Sequence, residues 1–416
     1  MTGKNSNARK HVLWINHFVP YPAKGGLLIR THGLLSKVVQ EHDVTLLCLV
    51  QPRLIKPYFK DLESGLKEAK TFYQSQGVNI EFFDMPSEKS QLSRLLVAFT
   101  SLFSRKPYSV RWLHSPKLAA RLQALNSQSF DYVHVDTMGL MAMAPEFSRD
   151  AVVTVNHHNA EHVMMARRAS KEANWLKRFY YQLESKKIAK FDSHHMQVVK
   201  SHIVCSPEDK SSLTELASGL AVDVVPNGVS YLPAPKRLPI IGRFLFVGGL
   251  DWYPNTDAIL FLLDEVCPRL KSLNAKVNID IVGKNPSAEI IAKANAFNFV
   301  ELHGYVDDIE LMYANAQAFL CPLRDGGGTK LKVLDAMNHG LPVIGTEIAF
   351  EGIAVEDGVS GFVTNTAEQV CSVIASIIDN VDFSERVGGK ARTLVKNRYD
   401  SNVISKNYAT RIAQIS

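Results

Sequence analysis

Short apolar runs alternate with longer stretches whose apolar residues recur every three or four positions, and this alternation continues over most of the chain. His11–Asn16 (H-V-L-W-I-N) predicts a strand. Residues 27–39 predict a helix, with Leu27, Leu28, Leu34, Leu35 and Val38 as its apolar side, and residues 44–50 (V-T-L-L-C-L-V) predict the next strand. A strand–helix–strand opening argues for a parallel sheet, because parallel neighbours need a crossover. Residues 54–75 read as helical and 78–84 as a strand. Further strands are predicted at 131–136, 151–155, 201–206 and 222–225, with a strongly charged helical stretch at 163–197 and a helix opened by Pro207.

Residues 231–239 interrupt the pattern: Pro233, Pro235 and Pro239 with Lys236 and Arg237 have the composition of a linker. The alternation then restarts. A strand at 244–247 runs into Gly248-Gly249, and a helix follows Pro254-Asn255. Strands come next at 278–282 and 300–302, helices at 366–379 and 382–397, and an amphipathic helix at 401–415. A chain of 416 residues is long for one core. Two α/β domains are therefore predicted, 1–232 and 240–399.

Composition narrows the class. An apolar content of 46% and a charged content of 21% are those of soluble globular proteins. The formal charge of +6 is mild; it suits a protein that meets phosphates or an anionic membrane surface, and no dense basic and aromatic stripe marks a nucleic-acid binder. The five cysteines are scattered with no C-x-x-C pair, which predicts reduced thiols. Residues 1–10 are polar rather than a signal peptide, and no run reaches the roughly 18 apolar residues of a spanning helix. A cytoplasmic protein is expected, with peripheral contact at the inner membrane face left open. The candidate for that contact is 91–103 (Q-L-S-R-L-L-V-A-F-T-S-L-F), followed by Arg105 and Lys106, although such a stretch is more often domain core or the lining of an acceptor cleft.

The densest chemistry lies at 321–346. An apolar strand at 318–320 leads into Asp325-Gly326-Gly327-Gly328-Thr329, which cannot hold a regular element. A helix is predicted at 330–338, with Leu331, Leu334 and Met337 on one face; Gly340 closes it and Pro342-Val343-Ile344 begins another strand. Strand, glycine-rich loop and helix suit a diphosphate. The first helix amides have no internal partner and the dipole makes that end positive. Arg324 and Lys332 add charge. Asp335 lies six residues past Thr329, roughly 9 Å along the axis, where a carboxylate can accept from ribose hydroxyls. The bland alternative is an ordinary connection with a solvated basic start. Gly-Lys-Ser/Thr is absent, so this is no Walker loop. Elsewhere, Gly25-Gly26 sit between a strand and a helix, where open α/β sheets bind ligands. His158, Glu161 and His162 spell H-x-x-E-H, a zinc-protease pattern that needs both histidines on one helix; His158 directly follows a strand, which argues against zinc.

The segment 321–346 resembles the signature of family-4 glycosyltransferases, and most closely the bacterial polysaccharide sugar-transferase branch, P-L-R-x-G-G-G-T-R-L-K-x-L-E-A-M-x-x-G-x-P-V. The opening P-Y-P-A-K-G-G-L-L-I-R (20–30) and V-P-N-G-V (225–229) are similar to that branch too. The resemblance implies the GT-B fold: α/β, two Rossmann-like parallel-sheet domains facing an interdomain cleft, with 400–416 returning to the first. It implies a retaining, metal-independent sugar transfer from a nucleotide-diphosphate sugar, a UDP-sugar favoured, to a saccharide or lipid-linked glycan acceptor in cell-surface polysaccharide synthesis, with no cofactor. Donor contacts are implied at Gly25, Gly26, Gly304, Val306, Arg324, Gly327, Gly328, Thr329, Lys332 and Asp335, and Asp136 and His158 are placed near the reaction. The wider family carries two glutamates eight positions apart, whose places here hold Gly327 and Asp335. Its arginine and lysine in the loop after the second domain's first strand are missing from V-G-G-L-D-W-Y-P-N (247–255). Two other classes keep the fold: a nucleotide-sugar-binding protein without turnover, which would keep Asp335 and the glycine loop, and a nucleotide-sugar epimerase, which would need no acceptor.

Overall fold

The computed structural model describes residues 9–126, 128–144, 151–199, 201–233, 235–273 and 275–415; the polar opening 1–8 lies outside them. The chain forms two compact units, Met1–Val225 with Asn402–Ser416, and Pro226–Ser401.

The first unit is built on seven parallel strands: β1 (His11–Asn16), β2 (Asp43–Val50), β3 (Asn79–Asp84), β4 (Tyr132–Val135), β5 (Val152–His157), β6 (Ser201–Val204) and β7 (Val222–Val224), in the order β3-β2-β1-β4-β5-β6-β7. Apart from His11, every residue of β1 is buried. Both faces of the sheet are covered, so the strand reads as a continuous apolar run rather than an alternating one. One cover is the helix Gly26–Glu41, which buries Leu28, Leu34, Leu35, Val38 and Val39. Another is the last helix, Ser401–Ala413, which places Tyr408, Ala409 and Ile412 in the same core as Val12, Trp14 and Tyr132. Its Tyr408 hydroxyl lies 2.9 Å from the Tyr132 hydroxyl and 2.7 Å from His134 Nδ1, and the His134 ring stacks on Trp14 with centroids 3.7 Å apart.

The second unit repeats the plan with β8 (Arg243–Val247), β9 (Asn278–Val282), β10 (Val300–Gly304), β11 (Ala318–Cys321), β12 (Val343–Gly345) and β13 (Phe362–Val363), ordered β10-β9-β8-β11-β12-β13 and parallel. In both units the order runs outward from a central pair, β1/β4 and β8/β11. At such a pair the connections leave to opposite sides, and the carboxyl ends of the strands open a crevice.

Three local readings change. The charged stretch 163–197 is two helices, Glu161–Lys171 and Trp175–Met196, broken at Asn174, whose side chain caps the second by accepting from the Leu176 and Lys177 amides. The proline-rich stretch 231–239 is no free linker. The Leu238 amide donates to Ala314 O at 2.9 Å and Arg237 Nη1 to Tyr313 O at 2.9 Å, so it is fastened to the second unit. Residues 91–103 are not core. They form the helix Gln91–Leu102, whose large apolar side chains face outward.

Candidate functional site

Each unit gathers its unusual chemistry at the carboxyl ends of its central strands. In the first unit, Asp136 follows β4, His17 follows β1, and Asn156 and His158 lie at the end of β5. Asp136 is fully buried. Its Oδ1 accepts from Asn156 Nδ2 at 3.0 Å and from the Thr31 hydroxyl at 3.4 Å, and lies 3.5 Å from His134 Nε2. Its Oδ2 lies 3.1 Å from His17 Nδ1 and 3.2 Å from His158 Nε2. Arg30, on the helix Gly26–Glu41, donates to Asn156 Oδ1 at 3.2 Å and to Val225 O at 2.8 Å, which orients the amide toward the carboxylate.

Burial opposes ionisation of Asp136, but the imidazoles of His158, His134 and His17 outweigh it and hold the carboxyl well below its ordinary range. Burial also lowers the pKa of His158 and of His134. At neutral pH the His158 and His134 imidazoles are therefore neutral beside the Asp136 carboxylate. Such a group can steady a positive centre forming beside it, and His158, with 13% of its side chain exposed, can exchange a proton with a substrate hydroxyl. The ligand atoms of His17, Asp136 and His158 also lie within 4.8 Å of one another, close enough for one metal ion. The H-x-x-E-H reading does not gain from this, since the helix starts at Glu161 and leaves His158 outside it.

In the second unit, the helix Leu331–Asn338 follows β11 and the loop, with Lys330 at its N-cap. Gly328, Thr329 and Lys330 are buried, and Gly326 and Gly328 have φ of 117° and 65°, which favour glycine. Lys332 reaches the end of β8: its Nζ donates to Asn255 Oδ1 at 2.6 Å and sits 4.4 Å from the centroid of the Phe246 ring. A side chain at Gly248 would put Cβ 3.0 Å from that Nζ and 2.7 Å from Asn255 Nδ2, so the ammonium and the Asn255 amide would have to shift to admit it. Burial pulls the Lys332 pKa below its usual value, and no carboxylate among the described residues pairs with it. The other cations nearby are compensated. Arg324 makes two bonds to Asp257, at 2.7 and 3.0 Å, with Glu265 at 3.6 Å, and Lys330 lies 3.1 Å from Glu351.

Asp335 lies one turn along the same helix face from Lys332. No hydrogen-bond donor among the described residues reaches its carboxylate. Burial raises its pKa to about 6, with His339 opposing and Glu310 adding to the rise. A carboxyl whose folded pKa exceeds its unfolded one favours the folded state when protonated, so that contribution is full below pH 3.8 and is lost as pH rises through about 6. Asp335→Asn is thus expected to stabilise the ligand-free protein at pH 8 by up to roughly 3 kcal/mol, the equivalent of that rise. With the ribose role expected from the sequence, it should also weaken nucleotide binding about tenfold or more, through loss of hydrogen bonds to a charged acceptor. Wild-type affinity should climb as pH rises through 6. Calorimetric titrations between pH 5 and 8 check both; a flat profile would remove Asp335 from the ribose.

Of the other residues expected from sequence, Gly304 (φ 64°) ends β10, and its carbonyl accepts from the Gly283 amide at 2.8 Å. Gly283 in turn packs on Gly248, where a Cβ would come within 1.8 Å of the Gly248 carbonyl. Gly304, Gly283 and Gly248 therefore line one edge of the sheet, leading to Lys332. Val306 is half-buried against the second core, and Gly327 lies in the loop. Gly25 (φ 97°) is the N-cap of the helix Gly26–Glu41, with Gly26 as its first residue; both are exposed. Asp136 and His158 are brought together. Sequence reasoning missed His17, Asn156, Thr31 and His134 around Asp136, and Asn255 beside Lys332. Most of these end a strand beside a central pair or start the helix that follows, and that position is the signal.

Residues 242–380 match the family model described as "Glycosyl transferases group 1". The chain is 23% identical to "Uncharacterized 44.6 kDa protein in cps region" of Klebsiella pneumoniae, over 92% of this chain and 95% of that one. Among solved structures, TarM of S. aureus superposes with a TM-score of 0.68 at 13% identity, covering 99% of this chain and 100% of that one. Anabaena Alr3699/HepE, crystallised in complex with UDP and glucose, superposes with a TM-score of 0.61 at 14% identity, covering 96% of this chain and 98% of that one. The fold is GT-B, two Rossmann-like parallel-sheet domains.

Proposed function

We propose that this chain is a glycosyltransferase that moves a sugar from a nucleotide-diphosphate sugar, a UDP-sugar favoured, to a saccharide or lipid-linked glycan acceptor in cell-surface polysaccharide synthesis. The observation that carries the reading is Lys332: a partly buried ammonium that no carboxylate among the described residues pairs with, at a glycine-lined sheet edge, one turn from a carboxylate that no donor among the described residues reaches. A diphosphate and a ribose supply what each lacks. The group 1 match falls on the same unit, the Anabaena neighbour was crystallised with UDP and glucose, and the Klebsiella relative is described by its cps region.

The roles divide by unit. In the second, Lys332 and the amides at 328–330 take the negative charge that grows on the leaving diphosphate, and Asp335 holds the ribose. Arg324 contributes only by giving up Asp257. In the first, Asp136 faces the oxocarbenium-like centre and His158 the hydroxyl. The bond from the anomeric carbon to the phosphate oxygen breaks, a bond to the acceptor oxygen forms, and the acceptor's proton leaves through the leaving phosphate or His158. Retention at that carbon and independence of metal belong to the proposal.

Thermal-shift measurements with UDP, GDP, ADP, CMP and dTDP, with magnesium and with EDTA, test it. Binding to the folded state alone raises the melting temperature by mass action. A rise with UDP that EDTA leaves intact, and UDP release only when acceptor is present, is the expected result. No rise with any diphosphate overturns the donor site. Sugar conversion without acceptor would make the chain an epimerase, and activity lost to EDTA would put a metal at His17, Asp136 and His158.

A further inference from the structure

The helix Gln91–Leu102 carries Leu92, Leu95, Leu96 and Phe99 along one face, and Phe103 continues the line one turn on. Such spacing makes one stripe. Trp175, Leu176 and Phe179 open the helix Trp175–Met196. These eight side chains are between 58 and 81% exposed. The two helices touch. Lys187 Nζ donates to Ser101 O at 2.7 Å, the Tyr180 hydroxyl bonds Ser101, and Glu184 Oε2 accepts from the Tyr108 amide at 2.6 Å. So many exposed large apolar side chains on two packed helices mark a surface made to be covered.

Charge identifies the cover. Residues 91–106 hold Arg94, Arg105 and Lys106 and no acidic residue, and residues 163–190 hold eight basic residues against two acidic ones. The whole chain carries only +6, so the remainder is net negative and the positive charge is gathered beside this face. Arg94, Arg105, Lys106, Lys171, Lys177, Arg178, Lys186 and Lys190 are exposed. Interfaces with proteins are depleted in lysine. An apolar stripe flanked by lysine and arginine is instead the pattern of helices that lie in the headgroup region of an anionic bilayer. No helix among the described residues is long and apolar enough to cross a membrane, so the contact is with the surface. We propose that this two-helix face of the first unit seats the protein on an anionic lipid bilayer, with Leu95, Leu96, Phe99, Phe103, Trp175 and Phe179 inserted and the basic residues on the headgroups. The inference stands whatever the site in the second unit binds.

Sedimentation with vesicles of phosphatidylcholine alone, or mixed with phosphatidylglycerol, reads it. Binding to the mixed vesicles should exceed that to neutral ones about tenfold, and weaken as salt rises. Trp175 fluorescence should be quenched by brominated lipid, and W175F should abolish that quenching. The double variant L95E/F99E should lose binding about tenfold while its melting temperature and response to UDP match the parent. A second variant, R105E/K106E, should lose the preference for phosphatidylglycerol. Equal binding by L95E/F99E, absence of quenching, or binding to neither vesicle would overturn the proposal. So would a dimer that L95E/F99E converts to monomer, since a second copy would then be the cover.

Discussion

Lys332→Met is expected to raise the melting temperature of the ligand-free protein and to cost it about a hundredfold or more in affinity for a nucleoside diphosphate. The two effects have one origin. Folding takes this ammonium largely out of water and, among the described residues, returns the Asn255 carbonyl oxygen at 2.6 Å and the face of the Phe246 ring. A base whose pKa is lowered by folding costs stability whenever it is protonated, and burial lowers that of Lys332. Methionine keeps the unbranched stem and its packing while removing the charge. Against a diphosphate the balance reverses, because truncating one partner of a buried charge pair costs about 2–5 kcal/mol. Melting curves with and without UDP separate the two. A variant that melts lower and still binds UDP as the parent does would show that Lys332 is a structural residue and that the diphosphate lies elsewhere.

What could be read in advance follows from how local each signal is. Strands β1 and β2 announce themselves because both sheet faces are covered, which leaves an unbroken apolar run. The unit around 321–346 is legible because strand, glycine loop and helix are consecutive. The cluster around Asp136 is not: His17, Arg30, Thr31, His134 and Asn156 come from four places in the chain and meet only because β1, β4 and β5 are neighbours in the sheet. No spacing encodes that meeting; the strand order does. The same holds for charge. Arg324 and Lys332 look alike as letters, but Asp257 and Glu265, 67 and 59 positions away, neutralise one and not the other. For 91–103 an apolar run shows that a surface wants covering, not what covers it. For 231–239 the prolines hide a segment whose Leu232 and Leu238 amides are bonded to Asn338 Oδ1 and Ala314 O, with the Ile240 amide just beyond it bonded to Asn315 O.

Asp136→Asn is expected to lower turnover about a thousandfold, within the span for a positioned acid–base or electrostatic group, while leaving UDP affinity within about twofold. That separation is the point of the experiment, because Lys332 and Asp335 belong to the other unit. Asparagine keeps the shape and one acceptor, so Asn156 Nδ2 still has an oxygen to meet, but it turns an amide toward His17 and His158 where a carboxylate stood. The negative charge that would steady a positive anomeric centre is gone. Stability gives a second readout. A carboxyl held below its ordinary pKa stabilises the folded state above pH 3.8 and loses that contribution as pH falls through its folded value. The parent should therefore weaken below pH 4 through this group. The variant should start lower at neutral pH and show less of that acid loss. Turnover within threefold of the parent, with the acid sensitivity abolished all the same, would mean that Asp136 only ties β1, β4 and β5 together. The reacting sugar would then have to be sought away from this cluster.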